Sequence, residues 1–154
     1  ASYKLMSKAS TKGAGARTRA RELMVQALYQ KQIAGHTTSE LVAQFHEQAA
    51  YERVDQVYFD EQFPAISESQ DELEKKIGVL IDRPLEQLDP VELAILLIGM
   101  YELESRADIP YRVVINESVN LARRFASIEG HKYVNACLDR AAKTLREIET
   151  QAQR

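Results

Sequence analysis

The chain has no tryptophan, one cysteine, four prolines and three histidines in 154 residues. The lone Cys137 excludes an internal disulfide and fits a reducing compartment, so the cytoplasm is the expected location. His36, His46 and His131 are far apart in sequence. His46-Glu47-Gln48-Ala49-Ala50 begins like the zinc-protease helix motif, but Ala50 stands where the second histidine belongs, so that site fails on ligand count. Gly13-Ala14-Gly15 follows no strand pattern and precedes no Gly-Lys-Ser/Thr, which excludes a phosphate loop. No apolar run approaches the roughly 18 to 20 residues that cross a membrane. Residues 1 to 16 contain no continuous apolar stretch of the kind a secretory signal has. Carboxylate pairs such as Asp71/Glu72 fall on polar helix faces and read as solvated surface. Cys137 borders an apolar stripe and reads as a small buried hydrophobe rather than a nucleophile. No catalytic constellation emerges, and no cofactor or metal is expected.

Negative charge is also missing from one region. Lys4, Lys8, Lys12, Arg17, Arg19 and Arg21 all precede the first carboxylate, Glu22. The whole chain carries −3 and these six cations are concentrated at its start, so the remainder carries −9. Clustered Lys and Arg neutralise phosphates and release counterions, so this asymmetry points to a polyanionic partner. A pI near 5.7 argues against a coat that grips nucleic acid through its whole surface. It favours a local basic patch whose acidic surroundings repel non-specific polyanions. Seven tyrosines and four phenylalanines leave aromatic faces for stacking.

A hydrophobic content of 45% in 154 residues is enough for one domain with a substantial core. Residues 1 to 16 lack apolar periodicity and read as a flexible basic segment ahead of a folded body spanning 17 to 150. A first helix is predicted from Arg17 to Ile33, with Ala20, Leu23, Met24, Ala27 and Leu28 inward and Gly35 as its stop. Arg21, Val25 and Tyr29 share one edge of it. Thr37-Thr38-Ser39-Glu40 is a capping-box signal for a second helix, with Leu41, Val42, Phe45 and Ala49 inward. A third begins near Asp55 with Val57, Phe59 and Phe63, and Pro64 should kink or break it. Helical pattern resumes through Leu73, Ile77, Leu80 and Ile81. Asp89-Pro90-Val91-Glu92 supplies an N-cap, a proline at N1 and an acid at N3 for a helix that is apolar nearly all round. Ile109-Pro110 opens another, from about Tyr111 to Phe125. Val134, Leu138, Ala141, Leu145 and Ile148 make the stripe of the last. No alternating strand pattern occurs, so the fold class is all-α with about seven helices.

Several ordered segments stand out together. They are Arg17-Thr18-Arg19-Ala20-Arg21-Glu22 with Val25-Gln26-Ala27-Leu28-Tyr29, and Val91-Glu92-Leu93-Ala94 with Met100-Tyr101-Glu102-Leu103. Ile109-Pro110-Tyr111-Arg112-Val113-Val114-Ile115-Asn116-Glu117 is the strongest, continuing to His131-Lys132-Tyr133-Val134-Asn135 and Leu138-Asp139. In this order they resemble the NusB family of bacterial transcription antitermination factors. The resemblance implies two small helical bundles and a non-catalytic, RNA-binding role. The partners it implies are the boxA element of ribosomal RNA leader transcripts, the small ribosomal subunit protein NusE, and the RNA polymerase antitermination complex. It allows a monomer or a homodimer, with no membrane association. By the family pattern, boxA contacts fall on Arg17, Thr18, Arg19 and Arg21, on Tyr29 and Glu92, and on Glu129, Lys132 and Tyr133. Two positions depart from that pattern. Thr18 stands where a further arginine is expected, and Ala136-Cys137 stands where the family usually has Gly-Val.

Each site residue also has a structural alternative. Tyr29 and Tyr133 fit half-buried core positions with wet hydroxyls, and Glu92 at N3 stabilises its helix start. Asn116 and Asn135 read as structural hydrogen-bonding groups. The arginines alone lack an equally good structural role. Two other functions compete with RNA binding. A NusB-like domain also opens some ribosomal RNA cytosine methyltransferases, a reading that needs a catalytic domain after Gln151 to Arg154. A homodimeric or protein-binding module would instead bring its basic start to an acidic protein.

Overall fold

The computed structural model describes residues 15–152, so Lys4, Lys8, Lys12 and most of the expected flexible basic segment lie outside the described residues. These described residues form eight α-helices and two short 3₁₀ turns, with no strand among them. The chain divides into two compact units, up to Ser69 and from Gln70 onward.

In the first unit, α1 (Ala16–Ala34) buries Ala20, Leu23, Met24, Ala27 and Leu28, the face that the periodicity specifies. Gly35 closes it at φ 72°, a left-handed conformation that glycine adopts without a Cβ penalty. Thr37 and Glu40 form the reciprocal capping box of α2 (Thr38–His46). That helix stops short of Ala49, which begins a 3₁₀ turn and is exposed, contrary to its predicted inward position.

The helix α3 (Gln56–Glu68) passes through Pro64, where a kink or break is expected, without a break. Phe59, Phe63 and Ile66 are fully buried along one side of it, with the two phenylalanine rings stacked at 5.5 Å. That burial offsets the single backbone hydrogen bond a proline removes, and only one further turn follows Pro64. Val57 is 65% exposed, and Tyr58 is buried alongside the predicted Phe59 and Phe63.

The second unit comprises α4 (Gln70–Leu80), α5 (Pro90–Ser105), α6 (Tyr111–Phe125), α7 (Ile128–Leu145) and α8 (Glu147–Ala152). Its axis is α5, buried on almost every side from Val91 to Leu103 and packed against α4, α6 and α7. The Asp89 carboxylate accepts from the Val91 N–H at 2.8 Å, and Pro90 occupies the first helical position. At Gly99 a Cβ would lie 2.7 Å from Leu138 Cδ1, so the absent side chain is what lets α7 approach α5 this closely.

The predicted last helix is interrupted at Arg146, and Ile148 is 87% exposed rather than part of the inner stripe. Arg146 is buried and turns back onto the end of α5. Its guanidinium donates to the carbonyls of Leu103 at 2.7 Å, Arg106 at 2.8 Å and Glu102 at 3.1 Å. These carbonyls lie at the C-terminal end of α5, where Glu102 and Arg106 also accept from the backbone N–H groups of Arg106 and Ile109, and a cation there complements the helix dipole. Glu149 binds the same guanidinium at 2.7 Å and accepts from the Tyr111 N–H at 2.8 Å, so one ion pair serves the end of α5 and the start of α6.

No described helix is long and apolar enough to cross a membrane. An Arg146→Lys substitution keeps the charge but cannot reach three carbonyls at once. It should lower the unfolding free energy by about 1–3 kcal/mol in urea titrations; an unchanged midpoint would show that Arg146 is not the cap.

Candidate nucleic-acid interface

In the first unit the arginine-rich start becomes the opening turns of α1. The Asp55 N–H donates to the Ala16 carbonyl at 3.0 Å, tying this end of α1 to the start of α3. Arg17 is exposed, with its guanidinium 4.8 Å from the Tyr58 ring centre and its Nε 3.7 Å from Asp55 Oδ2. Thr18 and Arg19 are half-buried. Arg21 is only 3% exposed and lies over the same ring at 5.2 Å. It therefore has the structural role that the sequence reading denied to the arginines. The edge shared by Arg21, Val25 and Tyr29 is buried at its first two positions and half-buried at Tyr29.

In the second unit, Glu92, Glu129, Lys132 and Tyr133 line one cavity of about 340 Å³ with Arg83, Ser127 and Gly130. Helix starts deliver most of this lining. Glu92 projects from the first turn of α5. Ser127 caps α7, its hydroxyl accepting from the Gly130 N–H at 3.0 Å, and Glu129, Lys132 and Tyr133 follow in the opening turns. Gly130 is buried, and a Cβ there would lie 2.9 Å from Glu92 Oε2, so the carboxylate occupies space that only glycine leaves open.

Burial raises the Glu92 carboxyl above the usual range, the Asp89 charge adds to this, and Arg83 opposes it. The Arg83 guanidinium stands 4.6 Å from the Tyr133 ring centre. The Tyr133 hydroxyl is buried with no hydrogen-bond partner, and burial raises the phenol, with Arg83 again opposing. A carboxylate acceptor, a cation and an aromatic face in one cavity suit a nucleobase with its phosphate.

Arg83 and Tyr58 are absent from the sequence reading. Arg83 sits in Asp82-Arg83-Pro84, outside any periodic segment, and Tyr58 meets its arginines across two helices. Neither contact leaves a local spacing to find.

Other predicted residues fall elsewhere. His46 meets Asp60 at 2.7 Å and stacks on Tyr51 at 4.4 Å, and Tyr51 donates to the same carboxylate at 2.6 Å. Cys137 is fully buried, as read, and burial pushes its thiol up to about 11. Asn116 and Asn135 lie on exposed faces.

The NusB family model matches residues 18–143. The chain belongs to the NusB family. It is 44% identical to the transcription antitermination protein NusB of Pseudomonas syringae pv. tomato over 93% of this chain and 87% of that one. It is also 44% identical to that of Paraburkholderia xenovorans, over 90% and 96%. A solved structure of T. maritima NusB superposes with a TM-score of 0.74 at 24% identity, covering 89% of this chain and 94% of the other, which supports the fold. Ala136, one of the two departures from the family pattern, is exposed, and a close helix approach falls at Gly99.

Gly130→Ala should force the Glu92 carboxylate outward, toward water. Carbon-detected NMR across a pH titration should then find the Glu92 midpoint lower than in the parent chain. An identical midpoint in both would mean the carboxylate does not depend on Gly130.

Proposed function

We propose that this chain is a non-catalytic transcription antitermination factor whose body, residues 17 to 150, binds single-stranded boxA RNA of ribosomal RNA leader transcripts together with NusE, within the RNA polymerase antitermination complex. The name carried by the relatives supports the antitermination role. The observation that carries RNA binding is the cavity, where residues as far apart in sequence as Glu92 and Tyr133 meet with Arg83 and Lys132 around one aromatic face. Arg17, Thr18 and Arg19 supply backbone contacts, with Arg21 as their buried support. Tyr29 and Tyr133 offer rings, and Glu92 and Glu129 accept from base N–H groups. The acidic remainder limits the affinity of this chain alone, and a basic partner such as NusE offsets that charge.

Fluorescence anisotropy of boxA RNA and a scrambled control, each with and without NusE, tests this reading. The chain should prefer boxA, and NusE should tighten binding. By linkage, RNA must strengthen the protein–protein contact by the same factor. Replacing Arg17 and Arg19 by alanine should flatten the dependence of log K on log salt by about 1.4, at roughly 0.7 per lost phosphate contact. Equal affinity for boxA and control in every arm would refute sequence-specific recognition.

A further inference from the structure

Arg17 and Arg21 stand four residues apart on α1, a spacing at which like charges repel. Both guanidiniums nevertheless converge on one ring, Tyr58 of α3, at 4.8 and 5.2 Å. That ring is a fixed platform. Tyr58 is 3% exposed, and its hydroxyl accepts from Nε2 of the buried Gln62 at 3.2 Å.

Asp55 completes the frame. One oxygen caps α3 by accepting from the Tyr58 N–H at 3.0 Å, and the other faces Arg17 Nε at 3.7 Å. This second contact is longer than a hydrogen bond and both partners are open to water, at 46% and 34% side-chain exposure. Such a pair contributes little.

A guanidinium uses its face and its edge independently. Its face stacks on an aromatic ring while its N–H groups, which lie in the plane, point outward to acceptors. Arg17 can therefore exchange the loose Asp55 contact for a short, bidentate bond to a phosphate without leaving Tyr58.

We propose that Tyr58 and Asp55 are positioning residues for RNA: Tyr58 holds the Arg17 guanidinium over its ring, and Asp55 occupies an N–H of it until a backbone phosphate displaces the carboxylate. The inference rests on the RNA-binding reading of α1. Asp55 then acts as a built-in competitor that weakens the hold on any polyanion too poorly placed to displace it.

The test uses the full chain, fluorescein-labelled boxA RNA and anisotropy, at a temperature where every variant shows native circular dichroism. Asp55→Asn keeps a good N-cap residue while removing the competing charge. It should tighten binding roughly two- to fivefold, the scale of one exposed charge contact. In an Arg17→Ala background the same substitution should change nothing, because the competition runs through Arg17. Tyr58→Leu should weaken binding roughly five- to tenfold and flatten the salt slope by about 0.7, one phosphate contact. Tyr58→Phe, which keeps the ring, should restore both.

Tyr58→Phe binding as weakly as Tyr58→Leu would overturn the role of the ring. Asp55→Asn tightening equally without Arg17 would reduce Asp55 to a general repulsive charge. Should Tyr58→Leu fail to fold, the Asp55/Arg17 cycle still decides. A parent chain with no affinity for RNA would instead sink the RNA reading, and this inference with it.

Discussion

A helix start leaves backbone N–H groups that the helix cannot satisfy, and the residues recruited to satisfy them are polar, local and fixed in direction. In this chain Asp55, Asp89 and Ser127 do that work for α3, α5 and α7. In the second unit four candidate functional residues lie in the opening turns of helices so defined. Glu92 is held where Asp89 and Pro90 start α5, and Glu129, Lys132 and Tyr133 are spaced by the cap at Ser127. Asp55 extends the same logic to α1, since its backbone N–H holds Ala16 while its carboxylate starts α3. Within each unit, capping thus fixes where a helix starts and in which direction its first polar groups point.

The two units use the same device to hold a cation. Arg17 and Arg21 rest on Tyr58 in one, and Arg83 rests on Tyr133 in the other. Stacking restrains a guanidinium while leaving its N–H edge directed outward, whereas a tight carboxylate pair would occupy that edge. This matters in a chain whose remainder carries −9, where an arginine has many acidic groups to find.

Much of the architecture was legible because it is local. The inner face of α1, the capping box at Thr37, the Asp89-Pro90 start and the Gly35 stop all follow from backbone hydrogen bonding and 3.6-residue periodicity. The errors came where packing outweighs local preference. Pro64 stays within α3 because Phe59, Phe63 and Ile66 are buried around it, and the stripe ending in Ile148 breaks because Arg146 turns to serve carbonyls forty or more residues earlier.

The sequence by itself determined the all-helical class, most helix starts, the basic leader and the family membership, because each is written in short-range spacing or in ordered motifs. Only the tertiary structure decided which charged groups are free to act. It buried Arg21, left Arg17 exposed beside Asp55, seated Glu92 in the space Gly130 leaves, and brought Arg83 onto Tyr133. The physical reason is that burial and stacking depend on what another helix places opposite a residue, and no local spacing records that.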